Sequence, residues 1–508
     1  MDLIEFNNSI VSNNGKAYMV GGAVRDSLMG TMPKDRDYCV TGLTQETFES
    51  LFPSAELQGK DFPVYRLEIN GEICEVALAR KERKKTRGHR GFEVIFTPDV
   101  TIEQDLFRRD FRINAMAFDL STNEIIDPYN GQKDIEDRIL RATSPAFRED
   151  PLRVYRAARL AAQLDFRIDL FTLTLMDELK DELTSLSIER VYGEMIKALM
   201  SNKPSRFFYE LEHSGVLDVH FPEISTLMNF RQNPKYHPEG NVFVHTMQVL
   251  DSARYFCNTL PVKNELAVMM SALLHDVGKA VTFGTHPIKG TPTYHEHEHR
   301  GVPIAEDFLS RFNLKSIKAA VLFNVKNHMI MHDAFTTMKP IKAVNFMDGK
   351  FEPTDKDTYI RNTGLLQVMD IHDYMAVCLS DTAGRVSAPS SLPDILKVTR
   401  LVLSLLSYEN NFTFESISLL VSDIIEDSEQ ASRITNDIIR VSKHAKIMET
   451  YAQYSKTVTY SKDIAEALNK YEGEKLGYII HKDKQQQRVS HMKTVRGFYL
   501  NKMKEAEL

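Results

Sequence analysis

One short segment constrains this chain more than any other: an apolar run enters a Gly-Gly pair, and two carboxylates follow. The run is Tyr18-Met-Val-Gly-Gly-Ala-Val-Arg-Asp26, and Lys34-Asp-Arg-Asp37 comes a few residues later. Glycine lets a backbone approach a triphosphate with no Cβ in the way. Alternate residues of a strand face the same side, so Asp35 and Asp37 are expected to hold metal ions together. Two divalent ions about 3.5–4 Å apart can activate a 3′-hydroxyl and stabilise a leaving pyrophosphate. Gly21 and Gly22 open a predicted helix, which brings its N–H groups and the Arg25 guanidinium, with Asp26 beside it, near phosphate. Gly-Gly alone is unspecific, and so is Asp-x-Asp alone. At this spacing the two together describe a nucleotidyl-transfer head. The competing outcome for Asp35 and Asp37 is a pair of aspartates in a surface turn.

The 508 residues allow three or four domains, and 43% hydrophobic residues allow a large core. No apolar stretch reaches the roughly 18 residues of a membrane span. The start, Met1-Asp-Leu-Ile-Glu-Phe6, lacks the basic and apolar regions of a signal peptide. Cys39, Cys74, Cys257 and Cys378 lie far apart with no Cys-x-x-Cys. They read as reduced thiols of a cytoplasmic protein rather than a disulfide frame or zinc knuckle. The net charge of −7 argues against a general nucleic-acid coat protein, but the charge is segregated. Arg80–Arg90 carries seven Lys/Arg against one Glu, and Arg108, Arg109 and Arg112 form a second cluster. Beside a phosphate-transfer site such a run reads as a triphosphate or RNA contact; elsewhere it is a solvated loop.

Residues 1 to about 140 read as mixed α/β. Predicted strands are Ala17–Val20, Tyr38–Thr41, Val64–Ile69 and Glu72–Leu78; predicted helices are Val24–Met29 and Gln45–Leu51. From Asp150 onward helical periodicity dominates. Predicted helices follow at Thr172–Leu186, Ile188–Met200, Pro204–Ser214, Val242–Asn258, Glu265–Leu274 and Ile304–Phe312. Stretches rich in Pro, Gly, Ser or Asn mark seams near 140–150, 230–240 and 385–393.

Four further constellations carry chemistry. Glu75, on a later predicted strand, is either a third carboxylate beside Asp35 and Asp37 or an ordinary strand glutamate. Asp105 to Ala115 (Asp-Leu-Phe-Arg-Arg-Asp-Phe-Arg-Ile-Asn-Ala) reads as a nucleotide-facing helix on which Arg109 pairs with Asp110 and Asn114 follows one turn later; the bland alternative is a helix with surface ion pairs. Glu149-Asp-Pro-Leu-Arg153, with Arg156 and Arg159, puts arginines along one helical stripe. Asp150 is a good N-cap before Pro151. A fixed pair of Asp150 and Arg153 is equally suited to reading a base edge, carboxylate to exocyclic amine and guanidinium to ring acceptor. The last set is His245, Leu273-Leu-His-Asp-Val-Gly-Lys279 and Asp381. Adjacent His275 and Asp276 in an apolar helix are costly to bury unless they bind something. Imidazoles mixed with carboxylates suit a divalent transition metal that hydrolyses a phosphoester. His297 and His328 are further ligands, phosphate contacts or core histidines. His295-Glu-His-Glu-His299 is as readily a solvated loop.

These strings resemble bacterial tRNA nucleotidyltransferases, the CCA-adding enzymes, of the kind with an appended HD phosphohydrolase domain. The resemblance rests on Val20–Asp26, Lys34–Asp37, Arg108–Ala115, Ser144–Arg153, Ile188–Glu194, Pro204–Phe207, Tyr236–Gly240, His245-Thr, His275–Lys279 and Arg300–Pro303, in the family's order over about 1–385. It implies a polymerase-beta-like α/β nucleotidyltransferase head (1–140) and a mostly α-helical remainder. That remainder divides into a neck with the base-reading helix (141–200), a body (201–235) and an HD domain (236–385); residues 386–508 lie beyond the resemblance and read as a helical C-terminal extension of unassigned role. It implies CCA addition to tRNA from CTP and ATP, with pyrophosphate released. Asp35 and Asp37 would hold Mg²⁺. Gly21, Gly22 and Arg25 would face the triphosphate, and Arg109, Asp110 and Asn114 would bind the sugar. Glu149, Asp150 and Arg153 would form the protein template, and Arg156 and Arg159 would support the triphosphate or that template. His245, His275, Asp276 and Asp381 match the HD ligand pattern, with a divalent transition metal, nickel in many relatives, and activity on 2′,3′-cyclic, 2′- and related phosphates. A poly(A) polymerase or A-only adder shares the head motifs. A non-catalytic RNA-binding protein and a hydrolase with a silent head are the readings from other classes. Oligomeric state stays open, a homodimer included.

Overall fold

Alternation between core and solvent sets the first sheet. In the computed structural model, which describes all residues except 59–63, 85–91, 96, 334–336, 354–358, 388, 408–413, 460–472 and 506–508, the early strands are Lys16–Val20 (β1), Asp37–Thr41 (β2), Glu56–Gln58 (β3), Val64–Ile69 (β4) and Glu72–Leu78 (β5). A separate hairpin follows, Lys81–Lys84 (β6) with Phe92–Ile95 (β7), then Ala117–Asp119 (β8) and Ile125–Ile126 (β9). Seven of them form one sheet in the order β3-β4-β5-β2-β1-β8-β9. The hairpin takes in the start of the basic run; its remainder, 85–90, lies outside the described residues. β1 runs antiparallel to β2 with Val20 opposite Asp37, and β2 runs parallel to β5 with Asp37 opposite Glu75.

Helices Leu3–Val11 (α1), Gly22–Leu28 (α2) and Gln45–Leu51 (α3) are interleaved with these strands. Phe6 from α1, Phe48 from α3, Phe52 and Tyr65 form one aromatic cluster, each at most 2% exposed, with ring centroids 4.8–5.3 Å apart. That core holds β1 and β2 still, and so fixes the turn between β1 and α2.

The expected helix over 105–115 is not continuous. Ile102–Phe107 (α4) ends first, and only a 3₁₀ turn, Arg112–Asn114, follows. Phe111 between them is extended (φ −130°), fully buried and bridged to Ala142, while the Asp110 carboxylate accepts the Phe111 N–H. A side chain that captures a nearby backbone donor competes with helix formation. After Gly131–Glu136 (α5) come Leu152–Leu164 (α6), Leu170–Glu178 (α7), Lys180–Leu183 (α8) and Ile188–Leu199 (α9). The single helix expected over Thr172–Leu186 is split at Leu179, which lets both Leu179 and Leu183 reach the core at 2% and 0% exposure.

Contacts divide the chain into two units: Met1–Ala198 with Arg206–His220, and Leu199–Ser205 with Phe221–Leu508. The second unit is helical. Its main helices are Val242–Thr259 (α10), Glu265–Leu274 (α11), His297–Arg311 (α12), Lys318–Asn327 (α13), Ile371–Ala383 (α14), Leu392–Ser407 (α15), Phe414–Ser422 (α16), Ser428–Thr457 (α17) and Gly473–Glu505 (α18). α12 starts earlier than the expected Ile304 because Pro303 lies inside it and does not end it. A Cβ on Gly278 would run into the His297 carbonyl oxygen and lie 2.6 Å from Gly301 N. Glycine there lets the turn after Asp276 touch the start of α12.

Candidate active sites

In the first unit the turn between β1 and α2 is built as its glycines require. Gly21 has φ +72°, a backbone that strains any residue with a side chain, and a Cβ there would sit 2.9 Å from Arg109 Nη1. Arg25 in α2 donates through Nη1 to Asn114 Oδ1 at 2.7 Å, and through Nε and Nη2 to Asp26 Oδ1 at 2.8 and 2.6 Å. Asn114 donates to Asp110 Oδ1 at 3.3 Å, and Arg156 on α6 donates to Asp110 Oδ2 through Nε and Nη2 at 3.0 and 2.8 Å. One hydrogen-bonded line therefore joins α2 to α6 through Arg25, Asn114, Asp110 and Arg156. Burial alone would push the Asp110 carboxyl up; the Arg156 and Arg153 charges outweigh it and hold it at about 2.

The expected partnerships are redistributed. Arg109 pairs with Asp105, four residues back, at 3.3 Å rather than with Asp110, and Arg108 shares Asp105 at 2.8 Å. Arg153 donates to the Ala146 and Arg108 carbonyls, both at 2.8 Å, and is not fixed by Asp150. Asp150 accepts the Leu152 N–H at 3.1 Å, as a cap should, and lies 3.5 Å from Arg190. Arg159 is tied to Glu194 at 2.5 Å, and Glu149 closes the 3₁₀ turn before α6. The arginine stripe is thus real, but each guanidinium has its own anchor.

Asp37 opens β2, whereas Asp35 sits in the bend before it, so the strand alternation expected for the pair does not apply. Burial, then the Glu75 charge and, more weakly, that of Asp35 raise the Asp37 pKa, against Arg109. Glu75 stands opposite Asp37 in the strand register. Among the described residues, the groups of three or more ligating side chains within 4.8 Å of one another all lie in the second unit. The head carboxylates are neighbours, not a closed cage.

We expect Arg156→Ala to lower the melting temperature by circular dichroism. It strips the ion pair from Asp110, whose side chain is 10% exposed. Arg156 itself is 37% exposed, so screening trims the loss to about 1–2 kcal/mol. An unchanged melting temperature would show that Asp110 is satisfied without Arg156.

In the second unit five elements converge. α10 carries His245, the end of α11 gives His275 and Asp276, α12 gives His297, His328 caps α13, and α14 gives Asp381. All six are at most 7% exposed. The Nδ1 of His275, His297 and His328 each lies 2.9 Å from the carbonyl oxygen three residues back. That places the proton on Nδ1 and turns the Nε2 lone pairs inward. The Nε2 atoms of His297 and His328 then face each other at 3.3 Å, two lone pairs that repel unless a cation lies near, and His275 Nε2 is buried with no hydrogen-bond partner. Asp276 sends Oδ2 to within 3.2 Å of His275 Nε2 and Oδ1 to within 3.3 Å of His297 Nε2. His245 Nε2 is 3.1 Å from Asp381 Oδ1. The ligating atoms of His245, His275 and Asp381 form one compact group, and those of Asp276, His297 and His328 another. These residues fit divalent metal.

Two residues here were missed because their stretch reads as a Pro/Gly-rich seam. Glu239 Oε1 is 2.8 Å from His245 Nδ1, and His237 bonds the same oxygen at 2.9 Å. Burial opposes a charge on Glu239, but bonds from His237 and His245 keep its carboxyl at about 2; burial likewise opposes the His245 cation, yet Asp381 and Glu239 raise it to about 9. Lys279 and Arg385 complete the surround, bonding Asp276 at 2.6 Å and Asp381 at 3.0 Å. Of the His295–His299 cluster, only His297 is buried.

Residues 17–141 match the family described as Poly A polymerase head domain, 165–228 that described as Probable RNA and SrmB-binding site of polymerase A, and 242–375 the HD domain. A curated relative from Haemophilus influenzae (strain PittGG), named Multifunctional CCA protein, is 38% identical over 84% of this chain and 96% of its own. The chain belongs to the multifunctional CCA protein family. Another member, from Mannheimia succiniciproducens, is 40% identical over 73% of this chain and 84% of its own. Among solved structures, a CCA-adding enzyme (apo form II) superposes with TM-score 0.51 at 17% identity, covering 96% of this chain and 93% of that one. A tRNA-processing enzyme (apo form I) gives 0.50 at 19%, covering 85% and 96%. Both show the shared fold. The family makes the chain an enzyme that joins a nucleotidyltransferase head to an HD hydrolase unit, and both kinds of unit imply divalent metal. The four cysteines are free and buried, and among the described residues no helix is long and apolar enough to cross a membrane.

Proposed function

We propose that the protein builds and repairs the 3′-terminal CCA of tRNA from CTP and ATP in the cytoplasm, and that its HD unit hydrolyses phosphate esters at RNA ends. The line of bonds from Arg25 through Asn114 and Asp110 to Arg156 carries the first part. It ties the helix that meets the triphosphate to the helix that meets the base, so the identity of the base is felt where phosphate is held. Gly21, Gly22 and Arg25 cradle the triphosphate, Arg109 lies over Gly21, and Asp110 and Asn114 orient the sugar. Glu149, Asp150 and Arg153 present donors and acceptors to the base edge, with Arg156 and Arg159 holding that face in place. Asp35 and Asp37, with Glu75 beside them, would hold Mg²⁺, which supplies Lewis-acid stabilisation to the attacking 3′-hydroxyl and the leaving pyrophosphate.

His245, His275, Asp276, His297, His328 and Asp381 would hold one or two transition-metal ions, nickel among them. The two compact ligand groups, both faced by Asp276, support a pair. Bound metal supplies an activated water for the ester. Glu239 orients His245, and Lys279 and Arg385 orient the two carboxylates.

The test is primer extension on a tRNA lacking its last three nucleotides, with Mg²⁺ and CTP, ATP or both. Growth by C-C with CTP alone and by C-C-A with both is expected. Long runs of A would point to a poly(A)-type polymerase, and no extension would overturn the reading. Asp150→Ala should cut selection of CTP and ATP over GTP and UTP about tenfold or more, since a bidentate base contact is worth about 1–3 kcal/mol. Unaltered selection would remove Asp150 from the template.

A further inference from the structure

Asp276, His297, His328 and Asp381 form the floor of a cavity of about 670 Å³, and another of its walls is not HD at all. That wall is α17, which turns Gln430, Arg433, Ile434, Asp437 and Arg440 toward it. Steps of three, four and seven residues lie on one face of a helix, so these side chains form a single stripe. α17 is fixed behind that stripe: Ala431, Ile438, Val441, Ala445 and Met448 are all fully buried, and His444 Nδ1 bonds the Met331 carbonyl at 2.5 Å.

The cavity is cationic. Lys235, Lys279, Lys289, Arg385, Arg433 and Arg440 face it, against the carboxylates of Asp276, Asp381 and Asp437. The whole chain carries −7, so this excess is local. Lys279 and Arg385 are engaged by Asp276 and Asp381, and Arg440 by Asp437 at 2.5 Å. Arg433 differs. Its Nε reaches the Glu429 carbonyl at 3.3 Å, its Nη1 is buried with no hydrogen-bond partner, and no carboxylate pairs with it among the described residues. A guanidinium that lines a cavity with no carboxylate of its own is matched in shape and charge by a phosphate. Tyr236 and Tyr294 line the same cavity and offer ring faces on which bases stack.

We infer that α17 is the substrate wall of the hydrolase and that Arg433 binds the internal phosphodiester next to the terminal phosphate, so that the site takes the 3′ end of an RNA chain in preference to a free nucleotide. The inference rests on the hydrolase reading of the HD unit. A terminal phosphate occupies the metal floor, and a free nucleotide has nothing further to give Arg433. A chain has a second phosphate, one nucleotide along.

Two probes separate these cases: 2′,3′-cyclic AMP, and the dinucleotide ApA ending in a 2′,3′-cyclic phosphate. The full-length protein is assayed with Ni²⁺ as wild type, Arg433→Ala and Arg433→Lys. Arg433→Ala should raise KM for the dinucleotide about tenfold or more, with kcat changed far less, and raise KM for the mononucleotide by a clearly smaller factor. Arg433→Lys should recover part of the loss. Equal factors for both probes, or none, overturn the inference. Fluorescence titration with a labelled, 3′-phosphorylated ApA needs no turnover. If wild type hydrolyses neither probe, the hydrolase reading fails, while weaker dinucleotide binding by Arg433→Ala still supports the wall and unchanged binding overturns it. Melting curves for both variants report folding, and Arg433→Lys carries the test if the alanine variant melts early.

Discussion

Asp37→Ala should abolish nucleotide incorporation, lowering kcat by about 10³-fold or more, while hydrolysis by the HD unit continues. Asp37 stands where β2 begins, opposite Val20 on one side and Glu75 on the other, and β1 leads directly into the Gly21 turn. Asp35, by contrast, hangs in the preceding bend. Loss of several kcal/mol of charge stabilisation at a developing oxyanion accounts for the size of the effect, at about 1.4 kcal/mol per factor of ten. The same substitution should leave the melting temperature unchanged or raise it. Burial and the Glu75 and Asp35 charges lift the Asp37 pKa, so its ionised form costs stability at neutral pH, and that cost shrinks as pH falls toward the raised value. Alanine removes the cost and the pH dependence with it. A variant that incorporates CTP normally would remove Asp37 from catalysis; one that melts early would make Asp37 structural.

Local pattern carries much of this molecule and fails where contacts are long-range. Val64–Ile69, Glu72–Leu78 and Gln45–Leu51 follow from periodicity to the residue, and Glu265–Leu274 follows from a wholly apolar run with a clear start. Arg109 and Asp110 look like a pair because they are adjacent, yet neighbours on a chain point apart. Asp110 instead meets Arg156, 46 positions away. Pro303 reads as a helix breaker, so the sequence starts that helix at Ile304 and leaves His297 in a loop. In the fold Pro303 sits within α12, and His297 enters the metal cluster from its first turn. Glu239 and His237 lie in a stretch whose prolines and glycine read as a seam, and only the tertiary return of that stretch onto α10 shows their use. α17 carries nothing in its own sequence that ties it to a histidine cluster about 150 residues upstream; its stripe acquires meaning only from what it faces.

The second large effect should come from Asp276→Asn. Asparagine keeps the shape and removes the charge, so packing of the fully enclosed turn is preserved. Asp276 faces both ligand groups, Oδ2 toward His275 and Oδ1 toward His297, with Lys279 on Oδ2 at 2.6 Å. Its pKa lies well below the usual carboxylate range: burial opposes this, and the close contacts with His275 and the Lys279 ammonium outweigh burial. A lowered carboxyl is available to metal at neutral pH without first losing a proton. With the charge gone, the inward lone pairs of His275, His297 and His328 have no anion among them, and Lys279 becomes an uncompensated cation that repels metal. We expect Ni²⁺ affinity by calorimetry to fall about 10²-fold or more and hydrolysis of 2′,3′-cyclic AMP to fall about 10³-fold, with primer extension retained. Loss of hydrolysis with undiminished Ni²⁺ binding would move Asp276 from ligand to general base. Loss of primer extension as well would mean that the HD cluster supports the fold on which the head depends, and the division of labour between the two sites would have to be redrawn.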